Sequence, residues 1–296
     1  MATRVVTDST CDLPTAALLD AGVAAVPLRV RIGDVERLDG RDLRPGELYR
    51  LLRDGGPAPR TRPPDPDDFA AVYRALLRGA DEVVSIHLSS RLSETLTHAQ
   101  EGAKRAGASD HVRFVDARST GSAMAEQVLA AARAAAAGRG AAEVAAAAER
   151  VRDASVVVIA PESLQWLRAG GRIGRPRALL DEMLSLRPLL GMHAGEIDAV
   201  ATVRASQRIE RMVRHVERRL NGGPVRVAVG VADDDLRAAD ALLARLETSA
   251  LRVREGRVQR IGSALASHLG PGTLTLTAYP ESALVAAPPT GAASAA

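Results

Sequence analysis

The chain has 296 residues, 46% of them hydrophobic and 25% charged, a composition that fits a soluble globular protein and excludes disordered, fibrous and membrane classes. At roughly 100–200 residues per domain, that length holds one large or two ordinary domains with real cores. No run approaches the ~18–20 apolar residues of a membrane span, and residues 1–10 lack the apolar core of a secretory signal, so the expected location is the cytoplasm. Net charge is only +3, the sole lysine is Lys104, and acids are interspersed with the arginines without any basic run. Tyr49, Phe69, Tyr73, Phe114, Trp166 and Tyr279 lie far apart and offer no stacking platform, so nucleic-acid binding is not expected. The one cysteine, Cys11, can form neither an intrachain disulfide nor a Cys-based zinc site and reads as a packing residue.

In chain order, the β-branched run Arg4–Val6 ends at the polar residues TDST, and Leu13-Pro14 opens a helix through Leu19. Residues 23–32 predict a second strand ending at the turn Gly33-Asp34. A helix over Pro45–Arg53 then runs into GGPAPRTRPPDPDD, too rich in Pro and Gly for regular structure and suited to a long loop over a site. Asp68–Leu77 reads as a helix with Phe69, Val72, Tyr73, Leu76 and Leu77 on one face. EVVSIHL is a buried strand, Ser93–Ala106 a helix and HVRFVDA a strand. Residues 123–152 are alanine-rich helix, broken at Gly138-Arg139-Gly140. SVVVIA is a strand, and the helix of ESLQWLRAGG ends at Gly170-Gly171.

The pattern then changes. RPLLGMH and EIDAVATV around Ala194-Gly195 read as a hairpin, followed by a helix (Ser206–Leu220), the strand VRVAVGVA, a helix (Leu236–Leu246) and closing strands. The expected fold class is α/β in two domains: a three-layer parallel-sheet domain over residues 1–155 and a mixed-sheet domain over 156–281. Residues 282–296 are expected to be a disordered tail.

The phosphate loop, the dinucleotide glycine pattern and H-E-x-x-H are all missing, and the six histidines include no i,i+4 pair, so no nucleotide cofactor and no metal site is expected. Small polar residues cluster instead where strands end: TDST after the first strand and LSSRLS after EVVSIHL, the edge at which open α/β sheets bind ligands. Ser89, Ser90 and Ser93 lead into a helix whose free N–H groups suit a carboxylate or phosphate, although a serine there also serves simply as a cap. Asp8 either caps the next helical turn or orients the hydroxyls. Asp233-Asp234-Asp235 reads as a solvated helix start.

Taken in order, T7-D-S-T-C-D-L-P, T61-R-P-P-D-P-D-D-F, S89-S-R-L-S-E-T, L164-Q-W-L-R-A-G-G-R-I, R187-P-L-L-x4-G-E-I and H268-L-G-P-G resemble the DegV family over roughly residues 3–280. The resemblance implies a two-domain α/β protein holding a long-chain fatty acid between its domains. It further implies the lipid-binding subunit of a bacterial fatty acid kinase, which presents the acyl carboxylate to a separate ATP-binding subunit for conversion to acyl phosphate. Carried over by motif, Thr61 and Ser93 hydrogen-bond the carboxylate, with Ser90 beside them, while Arg172 and His268 stand near the mouth. Asp8, Ser9, Gly171 and Gly270 support the site. No residue is catalytic in the chain alone, no cofactor is implied, and peripheral membrane contact accompanies lipid exchange.

Departures from the pattern are Arg62 and Asp65 in place of small polar residues, Glu94 in place of glycine, and D116-A-R-S-T-G-S-A with part of its serine pattern lost. A carboxylate such as Glu94 near the head group would repel an acyl anion. Two other readings stand beside the kinase subunit: a lipid store or sensor without a kinase, and a serine hydrolase with Ser93 as nucleophile and His268 as base. The second lacks a nucleophile elbow of the G-x-S-x-G kind.

Overall fold

Short valine-rich runs, apolar on both faces, suit a parallel sheet covered on each side by helices. A computed structural model describes residues 2–172, 186–220 and 222–285. Its first half comprises β1 (Thr3–Asp8), α1 (Thr15–Asp20), β2 (Val23–Val26), β3 (Arg29–Ile32), β4 (Val35–Leu38), α2 (Pro45–Arg53), β5 (Arg60–Arg62), α3 (Pro66–Leu76), β6 (Glu82–His87), α4 (Thr95–Ala106), β7 (Val112–Asp116), α5 (Gly121–Ala136) and α6 (Ala141–Ala154). Then follow β8 (Val156–Ala160), α7 (Gln165–Gly170), β9 (Leu186–His193), β10 (Glu196–Arg204), α8 (Arg208–Glu217), β11 (Pro224–Val231), α9 (Arg237–Glu247), β12 (Arg252–Arg260), α10 (Ser263–Leu269) and β13 (Leu274–Pro280).

The fold is α/β, with one parallel and one mixed sheet. The parallel sheet has the order β2-β1-β6-β7. Alternation sorts its side chains: Val5, Val84, Ile86 and Val115 pack under α5 and α6, while Val6 and Val83 pack on the other face against Phe69 and Tyr73 of α3 and Ala99 and Ala103 of α4. The mixed sheet has the order β10-β9-β8-β13-β11-β12, parallel only between β11 and β12. Met212, Val213 and Val216 of α8 and Leu242 and Leu246 of α9 cover one of its faces. The other face meets α2, α7 and α10 in a core that includes Tyr49, Leu167, Ile159 and Leu265. A small antiparallel sheet, β4-β3-β5, joins that same core through Val30.

Helix α5 touches both halves. Ser122 Oγ lies 2.9 Å from Thr277 Oγ1 of β13, and buried Glu126 accepts the Tyr279 hydroxyl at 2.7 Å while pairing with Arg257 of β12. A buried carboxylate that has both a hydroxyl and a guanidinium partner is satisfied, so this contact fixes α5 against the mixed sheet without leaving an uncompensated charge.

Several expectations are corrected. The run 23–32 is two strands in two sheets, because Pro27 lacks an N–H for the ladder and the chain leaves the parallel sheet there. Part of the proline-rich stretch is regular: Arg60–Arg62 pair with β3, and Pro66 opens α3, where the Asp65 N–H donates to the Asp68 carboxylate at 2.8 Å. Helix α4 starts at Thr95, so Ser93 precedes it. Residues 205–207 form a 3-10 turn ahead of α8. Residues 282–284 of the expected tail belong to a 3-10 turn, Glu281–Leu284, whose Ala283 is buried against Ala130, Val151 and Tyr279, a gap between α5, α6 and β13 that a methyl fills. Residues 286–296 of that tail lie outside the described residues.

Gly102 shows how closely α3 and α4 approach, since a Cβ there would stand 2.6 Å from both Phe69 Cβ and the Pro66 carbonyl oxygen. Gly102→Ala is therefore expected to cost about 1–3 kcal/mol despite better helix propensity. The midpoint of urea unfolding measures it, and an unchanged or raised midpoint contradicts the packing described.

Candidate functional site

The carboxyl ends of β1 and β6, the strand β5 and the helices α7 and α10 enclose a narrow cavity of about 50 Å³. Its walls are aliphatic, with Leu28, Leu88, Leu92, Leu167, Ile197 and Leu265 among them. Polar atoms enter from a few points: Thr10, Thr61, Ser93, Thr120, Arg172 and His268, with Arg62, itself exposed, also bordering the cavity.

Strand alternation turns Thr61 inward, in register with Val30, while Arg60 and Arg62 face solvent. Its Oγ1 lies 2.7 Å from Nε2 of His268. Burial, and secondarily the nearby Arg172 guanidinium, pushes His268 down to about 4, so the imidazole is neutral at pH 7. Its Nδ1 is buried without a hydrogen-bond partner and faces Gly170, where a Cβ would be 2.2 Å away. An unpaired acceptor is more readily tolerated than an unpaired N–H, which favours the tautomer with the proton on Nε2. In that form Nε2–H donates to Thr61 Oγ1 and leaves the threonine proton free for a ligand.

Arg172 follows the end of α7. Gly171 supplies the left-handed conformation (φ 65°) that stops the helix, and Arg172 Nη1 then folds back to the Gly170 carbonyl at 2.5 Å. Arg172 Nε also reaches the Leu92 carbonyl at 3.4 Å. At the end of α10, Gly270 has φ 78° and ψ 165°, a region essentially restricted to glycine, and a Cβ there would lie 2.0 Å from Trp166 Cδ1. The glycines of R-A-G-G-R and H-L-G-P-G thus let α7 and α10 meet at Gly170 against His268 and at Trp166 against Gly270.

Ser93 lines the cavity, and its Oγ accepts the Thr95 N–H at 3.3 Å and lies 2.9 Å from Thr95 Oγ1. Ser90 is elsewhere. It is exposed, donates to Asp116 Oδ2 at 2.6 Å, and is not among the residues lining the cavity. Ser89 is buried and donates to the Gly195 carbonyl of the β9–β10 turn at 2.7 Å. Asp8 is buried, caps the turn Ser9–Cys11 and also reaches the end of β6. Its Oδ1 accepts from the N–H and hydroxyl of Thr10, while its Oδ2 accepts from Leu88 N–H and meets His87 Nδ1 at 3.0 Å, which orients two cavity residues from behind. Ser9 Oγ donates to Asp39 at 2.7 Å and accepts the Leu28 N–H, also behind the wall.

Thr10 belongs to the TDST cluster after β1 and Thr120 to D116-A-R-S-T-G-S-A after β7, and Thr120 Oγ1 donates to the Thr10 carbonyl at 3.3 Å. Glu94 is exposed and does not line the cavity, so the repulsion expected of it does not arise there. Arg62 and Asp65 pair with each other at 2.8 Å, and Glu36 holds Arg62 at 2.8 Å, so the two departures offset one another in charge. No hydrogen bond links Ser93 to His268 among the described residues, because Thr61 occupies Nε2 and Thr95 meets Ser93. The hydrolase arrangement is therefore not formed. Ile173 of the G-G-R-I motif lies outside the described residues, among which no cluster of three or more His, Cys, Asp or Glu could hold a metal ion.

Comparison with known proteins points one way. The family model described as "Uncharacterised protein, DegV family" matches residues 2–281. A DegV domain-containing protein of Streptomyces coelicolor is 36% identical over 273 residues, covering 91% of this chain and 95% of the relative. A DegV family protein from Thermus thermophilus, described by its fatty acid binding, superposes with a TM-score of 0.89 at 33% identity, covering 95% of this chain and 100% of that one. DegV of Bacillus subtilis, described as a fatty acid binding protein, gives a TM-score of 0.84 at 23% identity over 95% of this chain and 100% of the other, a likeness of fold.

Because burial outweighs Arg172 in depressing His268, Arg172→Ala is expected to raise the His268 pKa from about 4 but to leave it below that of an exposed histidine. Imidazole resonances followed by NMR from pH 3 to 8 read this directly. A midpoint that stays put, or rises to the ordinary value, contradicts the assignment of causes.

Proposed function

This chain belongs to the DegV family, and from that premise we propose that it binds a long-chain fatty acid and presents the carboxylate to a separate ATP-binding kinase subunit. The observation that carries the reading is the Thr61–His268 hydrogen bond of 2.7 Å at the edge of an aliphatic cavity that Ser93 and Arg172 also line. Thr61 and Ser93 donate to the carboxylate, His268 holds the Thr61 hydroxyl in its donating orientation, and Arg172 balances charge at the mouth. Each such charge-assisted bond contributes about 1.5–3 kcal/mol, which orients a head group without holding it alone.

Affinity comes from the tail, at about 0.8 kcal/mol for each buried methylene. A space of about 50 Å³ admits only a few water-sized groups, so the tail enters by parting the leucines of the wall. In this reading residues 1–155 carry the hydroxyls and residues 156–281 carry Arg172 and His268, so the ligand lies where the two domains meet. Phosphoryl transfer needs a phosphate cradle and metal ligands; the chain's part is positional, and the partner consumes the ATP. The protein works in the cytoplasm and touches a membrane only to exchange lipid. A store or sensor without a kinase would use the same cavity, and turnover with the partner separates the two.

Thr61→Val is expected to weaken binding of oleate to the delipidated chain about tenfold or more, and Ser93→Ala similarly, measured by calorimetry. Arg172→Ala should lower acyl phosphate formation by the two-component system more than it lowers binding. Native mass spectrometry showing no acyl chain bound, or ATP consumption by the chain alone, would refute the reading.

A further inference from the structure

Little backbone holds Thr61 in place. It is the middle residue of β5, a three-residue strand at the edge of the small sheet, where Arg60, Thr61 and Arg62 stand opposite Arg31, Val30 and Arg29. Pro59 before the strand and Pro63 and Pro64 after it lack an N–H, so the ladder gains no donor on either side. In so short a pairing the cross-strand side chains decide stability. Thr61 and Val30 face inward, which leaves arginine opposite arginine at both positions of the solvent face. Like charges directly opposed push the strands apart.

Acidic side chains turn that repulsion into a closed ring. Glu36 of β4 accepts from Arg62 Nε and Nη2 at 2.8 and 2.9 Å and lies 3.6 Å from Arg29 Nε. One oxygen of Asp65 accepts from Arg62 Nη1 at 2.8 Å, and the other lies 3.1 Å from Arg29 Nη2. Charge therefore alternates around Arg29, Glu36, Arg62 and Asp65, each cation standing between two anions. Asp68, in the first turn of α3, meets Arg29 Nη1 at 2.6 Å and ties the ring to the parallel-sheet half. The Arg29 side chain is 15% exposed, which strengthens its pairs relative to those in open water. The Arg62 guanidinium holds Glu36 below the usual carboxylate range, so Glu36 is charged at pH 7. A lone surface pair contributes little, whereas bidentate geometry within a network is the condition under which such pairs count.

We propose that Glu36 and Asp65 are positioning residues for the ligand head group: by bridging Arg29 and Arg62 they keep β5 on β3, and with it the Thr61 hydroxyl at the cavity and within reach of His268. The ring assigns its members different signs. Loss of Glu36 leaves two guanidiniums opposed across the ladder with one bridge fewer, whereas loss of Arg62 removes the repulsion together with the attraction. The acid therefore matters more to β5 than the cation it neutralises, and removing the cation repairs the loss of the acid. Arg62 and Asp65, the two departures within T61-R-P-P-D-P-D-D-F, belong together on this account, the second compensating the first.

The effect on ligand rests on the fatty acid reading, whereas the ring does not. In the ligand-free chain, hydrogen–deuterium exchange at residues 60–62, followed by mass spectrometry, should be about fivefold faster in Glu36→Gln than in the parent. Asp65→Asn, which keeps a side chain able to cap α3, should quicken it as well. Adding Arg62→Gln to Glu36→Gln should bring exchange back toward the parent rate, and so should about 0.5 M sodium chloride, which screens the opposed guanidiniums. Oleate binding to the delipidated chain, measured by calorimetry, should weaken about threefold in Glu36→Gln and should suffer no further loss when Glu36→Gln is added to Thr61→Val, where no hydroxyl remains to be placed. Exchange at the parent rate in Glu36→Gln or Asp65→Asn, a double variant that exchanges faster than Glu36→Gln, or a Glu36→Gln rate indifferent to salt overturns the ring. Faster exchange with unchanged oleate binding, or with an equal loss of binding with and without Thr61→Val, overturns the positioning role. A parent that binds no oleate refutes the fatty acid reading alone, and the exchange rates then judge the ring.

Discussion

The site depends on the close crossing of α7 and α10. His268 reaches Thr61 because Gly170 has no side chain where Nδ1 lies, and α10 turns away at Gly270 because Trp166 occupies the space a Cβ would need. Two glycines, 100 positions apart, thus remove the steric barriers to one hydrogen bond. An alanine at either place meets a heavy atom at 2.0–2.2 Å, a distance no repacking of a rigid ring accommodates without moving a helix.

From that crossing the chemistry divides into two scales. The polar set is small and its members are already engaged: Arg172 with the Gly170 carbonyl, Ser93 with Thr95, Thr61 with a neutral His268. In the proposed reading such a set orients a head group and contributes little net affinity, since each bond to a ligand replaces one to water. In that reading the apolar wall supplies the binding energy, without selecting for chemistry beyond length and shape. The buried Asp8–His87 pair stands behind both, because one carboxylate holds Thr10 and Leu88 together at the sheet's edge.

Much of this was legible in the sequence because the signals were local. Valine runs flanked by turn residues marked the strands of both sheets, Gly171 marked the end of α7, and Ala194-Gly195 marked the β9–β10 hairpin, where both residues have positive φ. What escaped was set by distant partners. Thr61 lies in a segment whose prolines and glycines suggest a loop, yet β3 offers a free edge and turns residues 60–62 into a strand. Residues 23–26 (VAAV) and 29–32 (RVRI) read as one continuous strand but diverge at Pro27 because different neighbours await them. Ala283 is buried only because α5, α6 and Tyr279 leave a methyl-sized gap. Among the site residues, motif order indicated Thr61, Ser93, Arg172 and His268, which surround one cavity, while Ser90 turns outward to Asp116 and only the fold shows that, of the hydroxyls in TDST and D116-A-R-S-T-G-S-A, Thr10 and Thr120 line that cavity.

The central claim is that a fatty acid carboxylate sits against Thr61 beside a neutral His268. Oleate labelled with carbon-13 at its carboxyl carbon, added to the delipidated chain and followed by NMR from pH 5 to 8, tests it most directly. The account predicts a bound carboxyl resonance distinct from free oleate, held ionised across that range by the hydroxyl donors, and displaced in Thr61→Val. A bound resonance that titrates like oleate in water and is indifferent to Thr61→Val would contradict it.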